Sequence, residues 1–317
     1  MSDWTGLDSK LFDPSAIAPE TAAFNAKLEA QIAALPPMTS FPPQVIRDAR
    51  EAGKGIFGPI IRSAMAVDRT IPGPAGDLPI RVFRPDTIRG VYLHLHGGGF
   101  TLGRAHHQDV RNEEIARRCE VAVVSVDYRL APEAPYPAGP DDCEAAAVWL
   151  ARNAAAEFGS DRLIIGGESA GAHLSAVTLL RLRDRHDCRG FAAANLVYGA
   201  YDLSMTPSQA RWGERNLVLS TPIIQWFMDH FVPADRRRDP EVSPLYADLT
   251  GLPPALFTVG TLDPLIDDSL FMYARWIAAG NRADLAIYPG GVHAFDAFDI
   301  GISRQARQRL DEFIRAA

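Results

Sequence analysis

The stretch Arg162-Leu163-Ile164-Ile165-Gly166-Gly167-Glu168-Ser169-Ala170-Gly171 decides the fold of this chain of 317 residues. Its aliphatic first half predicts a short buried strand. Residues 172–185, which contain neither Gly nor Pro, have the composition of a helix. A strand, a Gly-x-Ser-x-Gly turn and a helix in this order are typical of a tight turn that lifts the serine hydroxyl above the sheet edge. We therefore expect Ser169 to be a nucleophile at a helix N-terminus.

A second glycine cluster, His-Gly-Gly-Gly-Phe at residues 96–100, follows the alternating strand-like residues 91–95. Successive glycines let a backbone approach a ligand with no Cβ in the way. A serine nucleophile needs N–H donors for the oxyanion that it creates, and a glycine loop upstream of the serine supplies them. The predicted donors are the N–H groups of Gly98, Gly99 and Ala170.

A serine hydroxyl is a weak nucleophile at neutral pH, so Ser169 also needs a base and an acid that orients it. Of the eight histidines, His293 follows the strand-like residues 283–288 near the C-terminus. This position fits a base in the chain order Ser, acid, His.

Two aspartates compete for the acid. Asp263 and His293 follow consecutive strands, whose C-terminal loops should be neighbours in a parallel sheet. This favours Asp263 and leaves Asp202, which follows an earlier strand, as the alternative. Asp267 and Asp268 come one turn after Asp263 and are interpreted as acidic residues of a first helical turn, where the helix dipole favours them.

Four histidines, His94, His96, His106 and His107, lie close together in the sequence, which can indicate a metal site. Neither a cysteine nor a carboxylate completes a recognisable ligand spacing with them. We therefore expect no metal and no organic cofactor, and we interpret His96 as part of the oxyanion loop.

Five motifs occur along the chain in a fixed order. They are His-Gly-Gly-Gly-Phe at 96–100, Asp-Tyr-Arg-Leu-Ala-Pro-Glu at 127–133 with Tyr-Pro-Ala at 136–138, Gly-Glu-Ser-Ala-Gly at 167–171, Asp-Pro-Leu at 263–265 and Gly-Val-His-Ala-Phe at 291–295. In these motifs the chain resembles the bacterial hormone-sensitive lipase family of α/β-hydrolases. One departure is Ala172, where a further glycine often follows the serine motif.

The resemblance implies a carboxylic ester hydrolase with an N-terminal helical cap. It places the family's catalytic residues and oxyanion donors on the positions already derived, namely Ser169, Asp263 and His293, and Gly98, Gly99 and Ala170. We expect short- to medium-chain esters as substrates. An amide or formamide hydrolase, or an acyltransferase, would use the same triad. A non-catalytic ligand-binding receptor is disfavoured because all three residues of the triad are present.

The pattern of the elements predicts an α/β-hydrolase fold: a mostly parallel eight-stranded sheet with helices on both faces and a helical cap. Predicted strands are 62–71, 78–84, 90–96, 121–126, 162–167, 192–198, 254–260 and 283–288, the first two forming an antiparallel hairpin. Predicted helices of the core are 108–119, 141–158, 170–186, 264–279 and 302–316. Helices at 20–35 and 43–54 precede every strand.

We therefore assign residues 1–54 to the cap and residues 55–317 to the catalytic domain. Residues 203–247 are too long for a normal crossover and rich in apolar side chains, so we expect them to contribute to the cap. Phe100, Trp212 and Phe227 are the expected substrate-pocket residues.

The charge and the cysteine content of the chain limit the classes of partner and the compartment that we expect. A net charge of −7 and a pI near 5.6 argue against nucleic-acid binding. Three widely spaced cysteines fit reduced thiols, and the N-terminus has no signal-peptide pattern. We expect a cytoplasmic enzyme without stable membrane insertion, acting on a small-molecule ester. The sequence leaves open whether it is a monomer or a homodimer.

Overall fold

The structure, a computed structural model, describes residues 7–317 and contains an eight-stranded sheet. The strands are β1 (Ala66–Gly73), β2 (Gly76–Phe83), β3 (Val91–Leu95), β4 (Ala122–Val126), β5 (Leu163–Glu168), β6 (Phe191–Val197), β7 (Ala255–Leu262) and β8 (Ala283–Val292). The helices are α1 (Pro19–Ala33), α2 (Pro43–Glu51), α3 (Asp109–Cys119), α4 (Ala138–Phe158), α5 (Ala170–His186), α6 (Pro207–Trp212), α7 (Thr221–Phe231), α8 (Ile266–Ala278) and α9 (Gly301–Ala316).

The order of strands in the sheet is β1-β2-β4-β3-β5-β6-β7-β8. The hairpin of β1 and β2 is antiparallel and pairs antiparallel with β4, whereas all other neighbours are parallel. The predicted α/β-hydrolase sheet with an edge hairpin is thus confirmed. Because β3 lies next to β5, and β7 next to β8, the four loops that carry the predicted site residues leave the same edge of the sheet.

Helices cover both faces of the sheet, because side chains on both faces of the central strands are apolar and buried. The neighbouring residues Ile164 and Ile165 of β5 are both fully buried, but they belong to different clusters because side chains alternate across a strand. Ile165 packs with residues of α4, α5 and α8, including Leu150. Ile164 packs with residues of α3 and α9, including Ile115 and Ile314.

The two N-terminal helices are bound to the sheet domain by specific polar contacts. On α1, Asn25 donates a buried hydrogen bond of 2.8 Å to the carbonyl of Gly290, at the end of β8. On α2, Arg47 donates to the carbonyls of Thr101 and Ala131 at 2.9 and 2.7 Å. Both helices therefore sit at the edge of the sheet where the predicted site residues emerge.

The segment 203–247 contains α6, α7 and two short 3-10 turns, Ala234–Arg236 and Pro244–Tyr246. Helix α7 buries Ile223, Ile224 and Met228, and these side chains join the large core cluster. The segment is thus packed onto the domain rather than projecting from it.

Asp268 fastens the beginning of this segment to α8. Asp267 and Asp268 both lie in the first turn of α8, as expected. The carboxylate of Asp268 is fully buried and accepts four hydrogen bonds of 2.6–2.9 Å, from the N–H groups of Tyr201 and Asp202 and the side chains of Thr206 and Gln209. Its role in holding a distant loop was not visible in the helical pattern.

We expect Asp268→Ala to lower the free energy of unfolding by at least about 3 kcal/mol, because a buried donor left without a partner costs about 1–3 kcal/mol. Asp267→Ala is the matched control: Asp267 is half-buried and accepts one hydrogen bond, from the N–H of Ser208. It should cost about 1 kcal/mol. Guanidinium unfolding of both variants measures the difference, and equal losses would contradict the assignment.

Candidate active site

The turn between β5 and α5 holds Ser169 in a strained backbone conformation, with φ 56° and ψ −119°. Such a conformation is uncommon for a residue other than glycine and is typical of functional turns. A Cβ atom on either Gly167 or Gly171 would overlap the carbonyl oxygen of Leu95 on the neighbouring strand β3. The N–H of Ser169 donates to the carbonyl of Val197 at 2.9 Å and so fixes the turn to β6.

The structure brings the three predicted residues of the triad together. The hydroxyl oxygen of Ser169 lies 2.9 Å from Nε2 of His293, and Nδ1 of His293 lies 2.9 Å from a carboxylate oxygen of Asp263. Asp263 is fully buried, and its other oxygen accepts the N–H of Leu265 at 2.9 Å. Because Asp263 accepts the proton-bearing Nδ1–H, Nε2 is left with a lone pair toward the serine.

The alternative acid, Asp202, is used elsewhere. Its carboxylate accepts the N–H of Ser204 at 2.8 Å and the hydroxyl of Tyr246 at 2.8 Å. The geometry therefore favours Asp263 as the partner of His293.

The glycine loop is held by side chains around it. Glu168 accepts the N–H of Gly97 at 2.9 Å and lies 3.1 Å from Nε2 of His94. The hydroxyl of Tyr128 donates to the carbonyl of His96 at 2.7 Å, and the His96 ring stacks on Tyr128. Burial lowers the pKa of His96 to about 4, so this ring is neutral and serves packing.

Glu168 was not predicted as a site residue, although it is the variable position of the serine motif. Burial by itself would raise the pKa of Glu168, but His94 and the N–H of Gly97 lower it, and the net direction is downward. The charged carboxylate thus ties the serine turn to the glycine loop.

The three predicted oxyanion donors are available. Within residues 7–317, the N–H groups of Gly98, Gly99 and Ala170 have no hydrogen-bond acceptor. Ala170 is the first residue of α5, where helix geometry leaves N–H groups unpaired. Three unpaired donors beside a serine hydroxyl are the arrangement that an oxyanion hole requires.

Two further residues near His293, Tyr198 and Asp296, were also not predicted. Tyr198 packs against the imidazole, and Asp296 holds Tyr198. The ring of Tyr198 meets the imidazole edge-on, with centroids 4.8 Å apart. Its hydroxyl donates to Asp296 at 2.5 Å, and burial raises the pKa of that carboxyl. Only the tertiary fold places residues of two different strand ends around the imidazole.

A cavity of about 1760 Å³ opens above Ser169. Its wall is formed by residues from the N-terminal segment 29–61, from the glycine loop and from the segment 214–228. Phe227 lies directly against Gly99, where an added Cβ would overlap its ring. The other large part of the wall comes from α2 and the chain on either side of it.

Of the three expected pocket residues, two border the cavity and one does not. Phe227 lines the cavity. Phe100 also borders it, but its ring is 3 % exposed and stacks on Phe231 at 4.0 Å. Trp212 is a correction: it lies outside the cavity lining, packs in the cluster that contains Leu28 and donates its indole N–H to the carbonyl of Arg215.

Comparison with known proteins agrees with the fold. Residues 92–297 match a family model described as the α/β-hydrolase fold. The chain belongs to this α/β-hydrolase family. It is 36 % identical over 250 residues to the carboxylic ester hydrolase LipN of Mycobacterium tuberculosis, a match that covers 74 % of this chain and 65 % of LipN, just under two thirds of that relative.

Two other relatives of this α/β-hydrolase extend the comparison. The carboxylesterase NlhH of M. tuberculosis is 36 % identical over 247 residues, which are 73 % of this chain and 75 % of NlhH. The solved structure of a hyperthermophilic esterase from Pyrobaculum calidifontis matches with a TM-score of 0.83 and 30 % identity, covering 95 % of this chain and 98 % of that one. The resemblance to hormone-sensitive-lipase-type esterases is confirmed.

The rigidity of the glycine loop can be tested by comparing alanine variants of Gly98 and Gly76. Gly98 has φ 121°, and a Cβ there would overlap the carbonyl of Leu102. Gly76, in the β1–β2 turn, has φ 113° and open space around the same position. Both alanine variants should lose about 1–3 kcal/mol through backbone strain. Gly98→Ala should lose about 1–3 kcal/mol more through overpacking, as thermal or guanidinium unfolding would reveal. Equal losses would mean that the loop shifts freely.

Proposed function

We propose that this α/β-hydrolase cleaves short- to medium-chain carboxylic esters through an acyl-enzyme on Ser169. The chain is a carboxylic ester hydrolase by its family and its relatives. The observation that carries the proposed roles is the unbroken chain of hydrogen bonds from Ser169 through His293 to the buried Asp263.

In the proposed first step, Nε2 of His293 takes the hydroxyl proton while the oxygen of Ser169 attacks the ester carbonyl. The N–H groups of Gly98, Gly99 and Ala170 bind the oxyanion that forms. His293 then donates the proton to the leaving alcohol, and the carbonyl re-forms as an acyl-enzyme.

In the second step, water attacks the acyl-enzyme and gives up its proton to the same nitrogen. The bond to the Ser169 oxygen then breaks, the acid is released, and His293 returns the proton to that oxygen. Asp263 keeps the other nitrogen of His293 protonated and stabilises the imidazolium in both steps. The burial of Asp263 supports this role because solvent does not compete for its carboxylate.

The preference for short to medium acyl chains is supported by the position of Phe227 on α7. Its ring lies against Gly99, next to the proposed oxyanion donors. The neighbouring wall residues Ile223, Ile224 and Met228 are apolar, as an acyl chain requires. In this proposal residues 1–54 and 203–247 together form the cap, of which residues 1–6 lie outside the described part.

The proposed location is the cytoplasm. Cys119, Cys143 and Cys188 are all free thiols, which a reducing compartment maintains. Among the helices of residues 7–317, none has the length and apolar character needed to cross a membrane.

Asp263→Asn should lower kcat by about 10⁴, because an amide in this place favours the wrong imidazole tautomer. Asp202→Asn is the matched control and should retain most of the activity. Ser169→Ala supplies the lower limit, with a loss on the order of a millionfold. Hydrolysis of p-nitrophenyl acetate measures all three variants. A larger loss in Asp202→Asn than in Asp263→Asn would overturn the proposed acid.

Phe227→Ala should move the preferred p-nitrophenyl ester toward longer acyl chains, because removal of the ring enlarges the space beside Gly99. Trp212→Ala, an aromatic change in the same inserted segment but outside the cavity, should leave the preferred length unchanged. The measurement is kcat/KM from acetate to dodecanoate. An unchanged profile in Phe227→Ala would remove this ring from the acyl pocket.

A further inference from the structure

The end of α2 and the turn before α3 form a cluster of nitrogen and oxygen ligands, of which Glu51 and His107 border the same cavity as Ser169. Glu51 is the last residue of α2, and His106 and His107 lie in the 3-10 turn Ala105–Gln108. Nε2 of His106 lies 2.9 Å from one carboxylate oxygen of Glu51, and Nε2 of His107 lies 2.8 Å from the same oxygen. One ligand atom of each residue lies within 4.8 Å of the others.

The hydrolytic mechanism gives this cluster no part. Two imidazole nitrogens and one carboxylate are a frequent ligand set for zinc, which leaves further positions to water. The side chain of Glu51 is 44 % exposed, which gives an ion a path of entry.

We propose that Glu51, His106 and His107 bind a divalent transition-metal ion, with zinc as the best match. Each imidazole would carry its proton on Nδ1 and present the Nε2 lone pair to the ion. Zinc–ligand bonds of about 2.0–2.1 Å place tetrahedral ligand atoms about 3.3 Å apart. The present separations of 2.8 and 2.9 Å need to widen by only about half an ångström.

The ion would join a wall of the cavity to the segment that follows the glycine loop. Glu51 belongs to α2, whose Arg47 already donates to the carbonyl of Thr101. Arg62 and Arg50 lie close enough to His106 and His107, respectively, to interact with them electrostatically, and their positive charges oppose a dication. The bound ion would therefore be exchangeable, and it would fix α2 at a second point beyond Arg47.

Calorimetric titration of the metal-free, full-length protein with zinc chloride tests the proposal. We expect one zinc ion per chain and a rise of the melting temperature by a few degrees, because the ion binds the folded state. Magnesium should produce neither effect, since it prefers oxygen ligands.

Three variants, Glu51→Gln, His106→Asn and His107→Asn, should each weaken zinc binding at least about tenfold, because loss of a mere outer-shell partner already costs about 10–100-fold. His186→Asn is the matched control: His186 lies 2.8 Å from Glu144, and within residues 7–317 no third ligand atom completes a site with this pair. It should retain the affinity, as should Cys188→Ala, which removes a half-buried thiol.

A second measurement needs no variant. Zinc should protect His106 and His107 of the wild type, but not His186, from modification by diethylpyrocarbonate, as peptide mass spectrometry would show. The proposal is overturned if the wild type binds no zinc, if all three ligand variants retain its affinity, or if zinc leaves the modification of His106 and His107 unchanged.

Discussion

The carbonyl oxygen of Leu95, at the end of β3, is the point on which the active site depends. Gly167 and Gly171 approach it so closely that any side chain would overlap it. This approach places the loop after β3 beside the turn after β5. Gly98, Gly99 and Ser169 then line the same cavity, as the proposed mechanism requires. Strand β3 pairs in parallel with β5 over the whole length of β3, and this pairing fixes the distance between the two loops.

Much of this arrangement could be predicted because it is encoded locally. A strained serine between two glycines, after a strand and before a helix, leaves few alternatives. Asp263 and His293 could be paired because their strands are consecutive in the chain and adjacent in the sheet. The sequence was least informative on boundaries: β8 continues to Val292, beyond the predicted residue 288, because its last residues pair with the end of β7.

Features that depend on distant contacts could not be predicted. Asp268 has the pattern of an ordinary first-turn residue, but its four donors come from the loop after β6 and from α6, which lie 59–67 residues earlier in the chain. Phe227 and Trp212 are equally apolar, and only the packing of the inserted segment decides which faces the cavity. Glu51 precedes His106 by 55 residues, so no ligand spacing could reveal the cluster that they form.

The attachment of α2 has a consequence for how substrate range can diverge. The guanidinium of Arg47 binds the backbone carbonyls of Thr101 and Ala131, groups that every amino-acid sequence supplies. The hydrogen bonds from Arg47 to these two carbonyls therefore do not depend on which side chains the two positions carry. A change of side chain elsewhere on the exposed face of α2 could thus reshape the cavity wall while Arg47 holds the helix in place and the glycine contacts at Leu95 stay the same.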